Sequence, residues 1–420
     1  MIDILDKIFQ QVLQVEDIPS DWAKMLVTPI YKKGDRHNTS NYRAVALLSI
    51  SGKVFNSIIL ETIREKTEQF SSDRQFGFRQ NRGTVDAIFL VRLIMEKAKE
   101  RNVKVHFHFI DYKAAFDAMW RKTLWKMLRA IGVPTKIVNI IEKIYNNTKC
   151  TVVVNGHITE WFEVLVGVRQ GCILSPTLFN LFLDFLMKEL SSLQDTICLD
   201  ENLNVDVRYA DDTTLIAAIF SKLKLSTEQL VDACNKYGLK INAPKCKLIT
   251  EEETEEIEIE QNSVDKVNNF IFLGSSVPGT SSDIERRLAL ACNAFGRLKT
   301  KIFSSRSVLI KLKVRLYYAL TVPIAIYASC TWAPTKRDEQ RLQVFENNCL
   351  RTMLNIRLKD KVSITNLRKR AGIKNTILNI IKMQRLTWFG HVCRLDNTSA
   401  IKQVLKAEFK NKRPRGRPKK

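Results

Sequence analysis

Residues 205–217 read Val-Asp-Val-Arg-Tyr-Ala-Asp-Asp-Thr-Thr-Leu-Ile-Ala, and the prediction of the fold depends first on this stretch. Its first part alternates apolar and polar residues with the period of a β-strand, and its last part is apolar. Asp211 and Asp212 lie between the two parts, which predicts a β-hairpin with two carboxylates at its tip. Adjacent acidic residues at a turn are common and usually only solvated, so the pair requires support from the rest of the chain.

A third carboxylate follows another predicted strand, 100 residues before Asp211. In residues 103–109, valine and phenylalanine alternate with lysine and histidine, which predicts a strand that ends just before Asp111. The two histidines are interpreted as residues of the polar face of this strand, not as metal ligands. Carboxylates that converge repel one another unless a cation neutralises them, and oxygen ligands suit magnesium. The pattern indicates phosphoryl transfer by two metal ions about 3.5 to 4 Å apart.

The charge distribution indicates a nucleic-acid-binding region. The chain has 420 residues and a formal net charge of +23, and residues 281–420 hold 32 Lys and Arg against 8 Asp and Glu. Such a density favours binding to a phosphate backbone over a merely solvated basic surface. No apolar run approaches the roughly 20 residues of a membrane span, and the first residues do not resemble a signal peptide. An intracellular protein without a membrane partner is expected.

The nine cysteines do not form a Cys-x-x-Cys pair, which argues against a zinc knuckle or a redox motif. His391 and Cys393 lie close together in the sequence, and packing at a helix end is the preferred interpretation because no second pair accompanies them. No structural metal is predicted.

Several short motifs surround the acidic residues in a definite order. They are Lys32-Lys33-Gly34-Asp35, Asn41-Tyr42-Arg43, Phe76-Gly77-Phe78-Arg79, Asp111-Tyr112-Lys113-Ala114-Ala115-Phe116-Asp117, Arg169-Gln170-Gly171-Cys172 with Leu174-Ser175-Pro176, Tyr209-Ala210-Asp211-Asp212, Gly238-Leu239-Lys240-Ile241-Asn242 with Lys245, and Phe272-Leu273-Gly274. The series resembles the reverse transcriptases of non-LTR, or LINE-type, retrotransposons and extends over nearly the whole chain.

The resemblance implies an α+β fold of the right-hand polymerase type. Fingers are expected in residues 1–102, a palm with an antiparallel sheet and the catalytic motifs in 103–280, with part of the fingers interleaved, and a helical thumb in 281–380. A C-terminal extension would follow in 381–420. The implied activity is RNA-directed DNA polymerase, which extends a primer 3′-hydroxyl with dNTPs using two Mg²⁺ ions, with Mn²⁺ as the alternative metal.

The resemblance also implies roles for single residues at the reaction centre. Asp111 and Asp211 would be the principal metal ligands, with Asp212 in support. Phe116 occupies the position of the steric gate, where an aromatic ring would clash with a 2′-hydroxyl, although an isolated phenylalanine here would be a core residue. Gln170 and Gly171 would line the nucleotide pocket, the glycine allowing close approach of the backbone.

Further substrate contacts are expected from two cations and one turn. Arg43 is a candidate for the incoming triphosphate, since a guanidinium suits phosphate oxygens, with a surface ion pair as an equal alternative. Lys245 would protonate the leaving pyrophosphate, with a solvated lysine as the alternative. Phe272, Leu273 and Gly274 would form the primer grip.

Basic residues of the last third are expected to bind nucleic acid without much sequence preference. The candidates are Arg286, Arg287, Arg297 and Lys299 in the thumb and Arg413, Arg415 and Arg417 in the tail. Residues 412–420 match an AT-hook, in which arginines enter a narrow A/T minor groove, and they equally match a nuclear-import signal. A nuclear location is therefore expected. Residues 385–392 resemble a C-terminal box of these retroelements with no derivable role.

Alternatives to an active reverse transcriptase remain at this stage. A catalytically silent retroelement remnant could still bind nucleic acid, although the complete set of motif residues argues against it. A viral RNA-dependent RNA polymerase is disfavoured by Phe116 and by Ala210, where those enzymes typically have glycine. The partners expected are an RNA template, a DNA primer or target, and dNTPs. Because the chain begins at the fingers, insertion into a target would need an endonuclease acting in trans.

Overall fold

The computed structural model describes residues 2–194, 197–252 and 256–409, which fold into two compact units. Unit 1 comprises Met1–Gly83, His106–Asp195 and Glu201–Lys266, and unit 2 comprises Thr84–Val105, Thr196–Asp200 and Val267–Lys420. The chain therefore passes between the units several times. Residues 84–101, which the sequence assigned to the fingers, belong by their contacts to unit 2. The names fingers, palm and thumb, with their boundaries, remain predictions.

Helices dominate both units. Those of unit 1 are α1 (Ile2–Val15), α2 (Ser20–Ala23), α3 (Ile50–Phe70), α5 (Ala115–Ala118), α6 (Arg121–Ala130), α7 (Thr135–Asn146), α8 (Ser175–Lys188) and α9 (Phe220–Tyr237). Those of unit 2 are α4 (Thr84–Arg101), α10 (Thr280–Leu298), α11 (Ile310–Leu316), α12 (Val322–Ala325), α13 (Lys336–Leu354), α14 (Ile364–Ala371), α15 (Ile377–Arg394) and α16 (Ala400–Lys406). Within the described part of the chain, none of these helices has the length and apolar character needed to cross a membrane.

The strands lie mainly in unit 1. They are β1 (Lys24–Tyr31), β2 (Tyr42–Leu47), β3 (His106–Ile110), β4 (Lys149–Val154), β5 (His157–Ile158), β6 (Phe162–Glu163), β7 (Asn204–Tyr209), β8 (Asp212–Ala217), β9 (Lys247–Ile249), β10 (Glu258–Ile259), β11 (Asn262–Ser263) and β12 (Asp265–Lys266). Unit 2 contains the hairpin of β13 (Phe270–Phe272) and β14 (Ser275–Val277).

One sheet of unit 1 positions the acidic motifs. Its strand order is β12-β9-β3-β8-β7, and all pairs are antiparallel except β12 with β9. The predicted hairpin of residues 205–217 is confirmed as β7 and β8, in which Tyr209 pairs with Asp212. In the neighbouring pair, Ile110 at the end of β3 lies opposite Thr213. This register brings Asp111 next to the turn that carries Asp211 and Asp212.

The predicted strand before Asp111 is shorter than its apolar pattern, and its polar face is not exposed. β3 begins at His106, and all five of its residues are buried. His106 and His108 are thus face residues of β3, as interpreted from the sequence, but the face on which they lie is buried. Helix α9 covers this face, and His108 Nδ1 lies 2.9 Å from the Thr227 hydroxyl of that helix. The Nδ1 atom of His108 thereby has a polar partner, whereas its buried Nε2 atom has none among the described residues.

Helix boundaries follow the sequence signals only in part. Helix α8 begins at Ser175-Pro176, because proline tolerates the first helical turn. Helix α9 ends at Gly238, whose φ of +86° is the left-handed conformation that glycine adopts without strain. Ser226 and Gln229 have the sequence spacing of a capping box, which predicts a helix start there, but the structure contradicts it. Ser226 lies inside α9, where its hydroxyl accepts a hydrogen bond from Asn204 Nδ2 at 2.8 Å.

Unit 2 has its own core, with a buried ion pair beside it. Arg92 is a charged residue among the apolar residues of α4, and its side chain is buried. Its guanidinium donates to Asp283 Oδ2 at 2.9 Å, to the Ser276 carbonyl at 2.8 Å and to the Thr331 hydroxyl at 2.9 Å. The polar position faces inward because partners from distant segments satisfy its hydrogen bonds. Removing one partner of such a pair costs about 3 to 5 kcal/mol.

The buried histidine of β3 predicts a pH-dependent stability. Burial lowers the pKa of His108 to about 3, whereas the pKa of a histidine in the unfolded chain is about 6.5. Between these values the unfolded state binds more protons, so the contribution of His108 to the free energy of unfolding decreases as the pH falls. Relative to the His108→Asn variant, the parent should lose up to about 1.4 kcal/mol per pH unit below about pH 6.

Urea denaturation of both proteins at several pH values measures this difference. A difference that stays constant from neutral to acidic pH would contradict the prediction, whatever its absolute size.

Candidate active site

The structure brings together the three carboxylates that the sequence selected. Asp211 and Asp212 lie at the β7–β8 turn, which Ala210 enters with a φ of +55°. Burial, Asp211 and Asp111 together raise the pKa of Asp212 to about 6. Burial and Asp111 also raise the pKa of Asp211. The carboxylates are therefore close enough to repel one another, which favours a bound cation.

The residues fit a magnesium site that substrate completes. Among the described residues, no group of three or more His, Cys, Asp or Glu side chains is arranged to hold a metal ion by itself. Magnesium ions are usually bound through one or two carboxylates together with waters and substrate phosphates, so a complete protein cage is not required. Asp111, Asp211 and Asp212 provide hard oxygen donors at one sheet edge, as such a site requires.

Asp111 is held from one side by the segment after α9. Asn242 Nδ2 donates to Asp111 Oδ2 at 2.9 Å, and the Asn242 backbone N–H donates to the Asp111 carbonyl at 2.7 Å. Lys245 Nζ lies 3.5 Å from the same Oδ2, and its side chain is 68% exposed. The orientation of the carboxylate thus depends mainly on Asn242. Asn242 belongs to a motif that is evident in the sequence, but its contact with Asp111 is not predictable from that motif.

The Asp211–Asp212 turn is held from the other side by the Phe76-Gly77 motif. Gln75 is buried, and its Oε1 accepts hydrogen bonds from the backbone N–H groups of Gly77 at 2.9 Å and Ala210 at 3.0 Å. A Cβ at position 77 would lie 2.3 Å from the Ala210 nitrogen. The glycine is therefore required by the close approach of two backbones. Sequence reasoning found the motif but missed Gln75.

A buried ionic network supports β7. Arg208 Nε lies 2.5 Å from Asp206 Oδ2, and Arg208 Nη1 lies 2.7 Å from Asp184 Oδ1. Arg74 Nε adds a contact of 3.0 Å with Asp206 Oδ1. Opposing charges lower the pKa of Asp206 despite its complete burial. Alternation along β7 was the only sequence signal, and it does not distinguish buried from exposed charges.

Phe116 and the Gln170-Gly171 turn lie on neighbouring segments of unit 1. The Phe116 ring stacks on Phe179 with 4.4 Å between centroids. Gln170 Nε2 donates to Asp117 Oδ2 at 2.9 Å. Gly171 has a φ of +110°, and a Cβ there would lie 2.5 Å from the Ala46 carbonyl oxygen. The glycine is thus required by the close approach of its backbone to Ala46 of β2.

Arg43, the predicted triphosphate ligand, is an exposed residue of β2, opposite Ile30 of β1. Its charge opposes the increase in the pKa of Asp211, so the guanidinium lies within electrostatic range of that carboxylate. A contact between Arg43 and a triphosphate remains a prediction.

The profile of the family described as "Reverse transcriptase (RNA-dependent DNA polymerase)" matches residues 30–277. This range contains every motif that positions the carboxylates. The chain belongs to the reverse transcriptase family. Together with the mixed helices and strands, this membership confirms the predicted α+β fold of the right-hand polymerase class.

Curated relatives of this reverse transcriptase chain come from mobile elements. The RNA-directed DNA polymerase from mobile element jockey of Drosophila melanogaster is 27% identical over 260 residues, which cover 59% of this chain and 28% of that protein. The probable RNA-directed DNA polymerase from transposon BS of the same fly is 23% identical over 367 residues, covering 82% and 40%. The chain thus spans well under half the length of these relatives. The predicted resemblance to non-LTR retrotransposons is confirmed.

Solved telomerase structures are also similar to the chain. A telomerase from Candida tropicalis, in complex with a fragment of telomeric RNA, matches 96% of this chain and 68% of that chain, with a TM-score of 0.46 and 13% identity. A telomerase from Candida albicans gives a TM-score of 0.40 and 12% identity over 97% of this chain and 68% of that chain.

The predicted primer grip lies in unit 2, with Phe272 at the end of β13 and with Leu273 and Gly274 in the β13–β14 turn. Leu273 and Gly274 have φ values of +47° and +81°. The Tyr327 hydroxyl donates to the Leu273 carbonyl at 2.9 Å, and Arg286 Nη1 donates to the Gly274 carbonyl at 2.8 Å. These contacts hold the turn in shape. Its role in binding a primer remains a prediction.

The predicted nucleic-acid ligands of the thumb differ in exposure. Arg287 is buried, lies over the Tyr327 ring and donates to the Gly274 carbonyl, so its guanidinium is engaged within unit 2. This contradicts the expectation that Arg287 follows a duplex backbone. Arg297 and Lys299 are exposed and keep that predicted role. The tail arginines Arg413, Arg415 and Arg417 lie outside the described residues.

The contact between Asn242 and Asp111 predicts a loss of metal affinity on substitution. Asn242→Ala should weaken Mg²⁺-dependent primer extension by about 10- to 100-fold, because partners that orient a metal ligand have effects of this size. The loss should appear mainly as an increase in the Mg²⁺ concentration at half-maximal rate.

Asn202→Ala is the matched control, since it removes an exposed hydrogen bond with Lys222 in the same unit. Equal losses in both variants, or a lower maximal rate at an unchanged Mg²⁺ requirement, would argue against a role for Asn242 in positioning Asp111.

Proposed function

We propose that this chain is an RNA-directed DNA polymerase that extends a primer 3′-hydroxyl with deoxynucleotides on an RNA template. The observation that carries the proposal is the convergence of Asp111, Asp211 and Asp212 at one edge of the β3–β8–β7 sheet. Membership of the reverse transcriptase family supports the same activity. The names of the relatives from jockey and BS describe RNA-directed DNA polymerases, which further supports it.

The acidic residues would hold the metal ions of the reaction. Bound Mg²⁺ supplies activation of the primer hydroxyl and stabilisation of the leaving pyrophosphate. Asp111 and Asp211 would provide the principal oxygen ligands, and Asp212 would support them. Asn242 keeps one Asp111 oxygen engaged, which leaves the other available to a cation. The raised pKa of Asp212, at about 6, still allows its ionised form at neutral pH.

Two cations near the carboxylates would act on the nucleotide. Arg43 would bind phosphate oxygens of the incoming dNTP, because a guanidinium offers several donors in one plane. Lys245 would donate a proton to the leaving pyrophosphate, a role supported by its exposure and its distance of 3.5 Å from Asp111. Gln170, held by Asp117, and Gly171 would border the nucleotide from the side of β2.

Phe116 would exclude ribonucleotides. Its ring is fixed against Phe179, so it cannot move aside without losing a stacked contact. A 2′-hydroxyl brought against a fixed ring would clash, whereas a deoxyribose would not. The product would therefore be DNA.

The template and primer would be bound by basic surface in addition to the catalytic carboxylates. Arg297 and Lys299 are exposed and could follow a phosphate backbone, and the Phe272–Gly274 turn could contact the primer end. Residues 412–420 support the proposed nuclear location, because their sequence matches an import signal as well as an AT-hook.

Primer extension on poly(rA) with annealed oligo(dT), Mg²⁺ and labelled dTTP tests the activity. The parent should extend the primer, whereas the Asp211→Asn/Asp212→Asn double variant should not, because two metal-binding charges are removed. Asp232→Asn is the matched control, since it neutralises an exposed carboxylate of α9 in the same unit. Its activity should equal that of the parent.

Two outcomes would contradict the proposal. If the parent binds the primer-template without extending it, the chain is a nucleic-acid-binding retroelement remnant. If the double variant extends the primer as well as the parent, the reaction occurs elsewhere.

Sugar selection provides a separate test of Phe116. Phe116→Ala should reduce the preference for dTTP over UTP by about tenfold or more, because the clash with the 2′-hydroxyl is lost. Single-nucleotide incorporation with each substrate measures the ratio. Phe70→Ala, a half-buried aromatic elsewhere in unit 1, should leave the ratio unchanged. If the ratio is unchanged in Phe116→Ala, Phe116 is not the steric gate.

A further inference from the structure

Helix α15 of unit 2 has an exposed face of unusual composition. Met383, Leu386 and Phe389 lie three residues apart on this helix and are 58%, 72% and 57% exposed. Single exposed apolar residues are ordinary, but a row of three on one helix indicates a surface that another molecule covers. The catalytic function described above uses none of these residues.

A groove of about 540 Å³ lies beside this face. It is bordered by aromatic, cationic and small residues of α4, of α15 and of the segment 330–333. Its lining includes Phe89, Trp332, Lys382, Arg385, Trp388 and Phe389. We call it the Trp388 groove. Its volume is within the range of small-ligand sites, about 300 to 1,000 Å³.

The floor of the Trp388 groove is held from beneath. Thr331 accepts a hydrogen bond from the buried Arg92, and Trp332 Nε1 donates to Asp283 at 2.9 Å. The Trp388 ring lies against Phe89 with 4.1 Å between centroids. The aromatic walls are therefore fixed before any ligand arrives, which lowers the entropic cost of binding.

Polar groups of the groove indicate what it would accept. Trp388 Nε1 is buried and has no hydrogen-bond partner among the described residues, so a residue that lines the groove carries an unsatisfied donor. The charged residues of α15 are Lys382, Arg385 and Arg394, and the helix contains no acidic residue. Of the described lining residues only Glu96 is acidic, and burial raises the pKa of its carboxyl group.

We propose that the Trp388 groove binds single-stranded nucleic acid, with a base stacked on Phe389 and the adjoining phosphates bound by Arg385 and Lys382. Exposed aromatic rings beside flexible cations are the combination by which proteins bind single strands without sequence preference. A duplex cannot use the site in this way, because its bases are already stacked on one another.

The charge of the surface selects nucleic acid over other occupants. A second copy of this helix face would bring like charges together, which disfavours self-association. The basic tail of residues 412–420 would meet the same repulsion. A polyanion that also offers flat apolar surfaces satisfies both the cations and the exposed rings.

Fluorescence anisotropy with labelled 15-nucleotide RNA and DNA strands of mixed sequence tests the proposal. All variants are made in the full chain carrying Asp211→Asn/Asp212→Asn, so that binding is measured without polymerisation. Phe389→Ala should weaken single-strand binding about tenfold while leaving its salt dependence unchanged, because it removes stacking but no charge. Arg385→Ala should reduce the slope of log affinity against log salt by about 0.7, the value for one phosphate contact on a single strand.

Leu358→Ala and Lys359→Ala are the matched controls. They remove an exposed apolar residue and an exposed cation of unit 2 that lie outside the groove, and Leu358 is 78% exposed. Neither should change single-strand affinity more than slightly. Because Phe389 is itself largely exposed, its substitution should leave the thermal unfolding of the chain unchanged, and this is measured in parallel.

Several outcomes would overturn the proposal. Equal losses in the controls would show general electrostatic binding, and an equal loss for duplex and single strands on Phe389→Ala would exclude base stacking. If nucleic-acid binding is unchanged but Phe389→Ala alters the mass in solution, the face is an interface between copies. Tighter binding of the RNA strand would indicate the template as the ligand, and tighter binding of the DNA strand would indicate single-stranded DNA. Failure of these tests leaves the proposed polymerase activity intact, because primer extension by the parent is measured separately.

Discussion

Repulsion among Asp111, Asp211 and Asp212 is the constraint on which the rest of unit 1 depends. The three carboxylates crowd together at one sheet edge, and burial and mutual charge raise the pKa of Asp212 to about 6. A free chain would relieve such repulsion by moving the groups apart. The polypeptide prevents this through strand register, since Ile110 opposite Thr213 leaves Asp111 no position except beside the turn.

The hydrogen bonds around the active site hold the backbone more than they hold the carboxylate side chains. Gln75 binds the N–H of Ala210, and Asn242 binds both the backbone and the side chain of Asp111. Fixing the backbone leaves carboxylate oxygens available for a metal ion, and the ion pair of Lys245 with Asp111 Oδ2 is long, at 3.5 Å. This arrangement is preorganisation, in which the cost of collecting like charges is met on folding and not during the reaction.

Both units contain buried ion pairs close to these features. The Arg208 network lies within unit 1 beside the catalytic hairpin, and the Arg92–Asp283 pair supports the floor of the Trp388 groove in unit 2. Buried pairs add little net stability compared with apolar packing, but they penalise any arrangement that separates the partners. In each unit they lie where a small displacement would disturb a binding surface.

The hairpin, the identity of its carboxylates and the motif order that indicates the family could be predicted from the sequence alone. Local periodicity predicts the hairpin, and the residue types identify the carboxylates and the motifs. These features can therefore be recognised without coordinates. The ends of α8 and α9 were likewise predictable from proline and glycine. The burial of His106 and His108 was not, because it depends on whether a distant helix covers the strand.

The neighbours that hold the reactive groups are evident only from the tertiary structure. Gln75 and Asn242 are ordinary polar residues in sequence, and their contacts cross separations of 135 and 131 residues. Arg92 and Arg287 have the spacing of exposed helix residues, yet both are buried because partners for their charges arrive from elsewhere in the chain. Periodicity reports one element at a time, whereas burial and hydrogen bonding depend on what packs against that element.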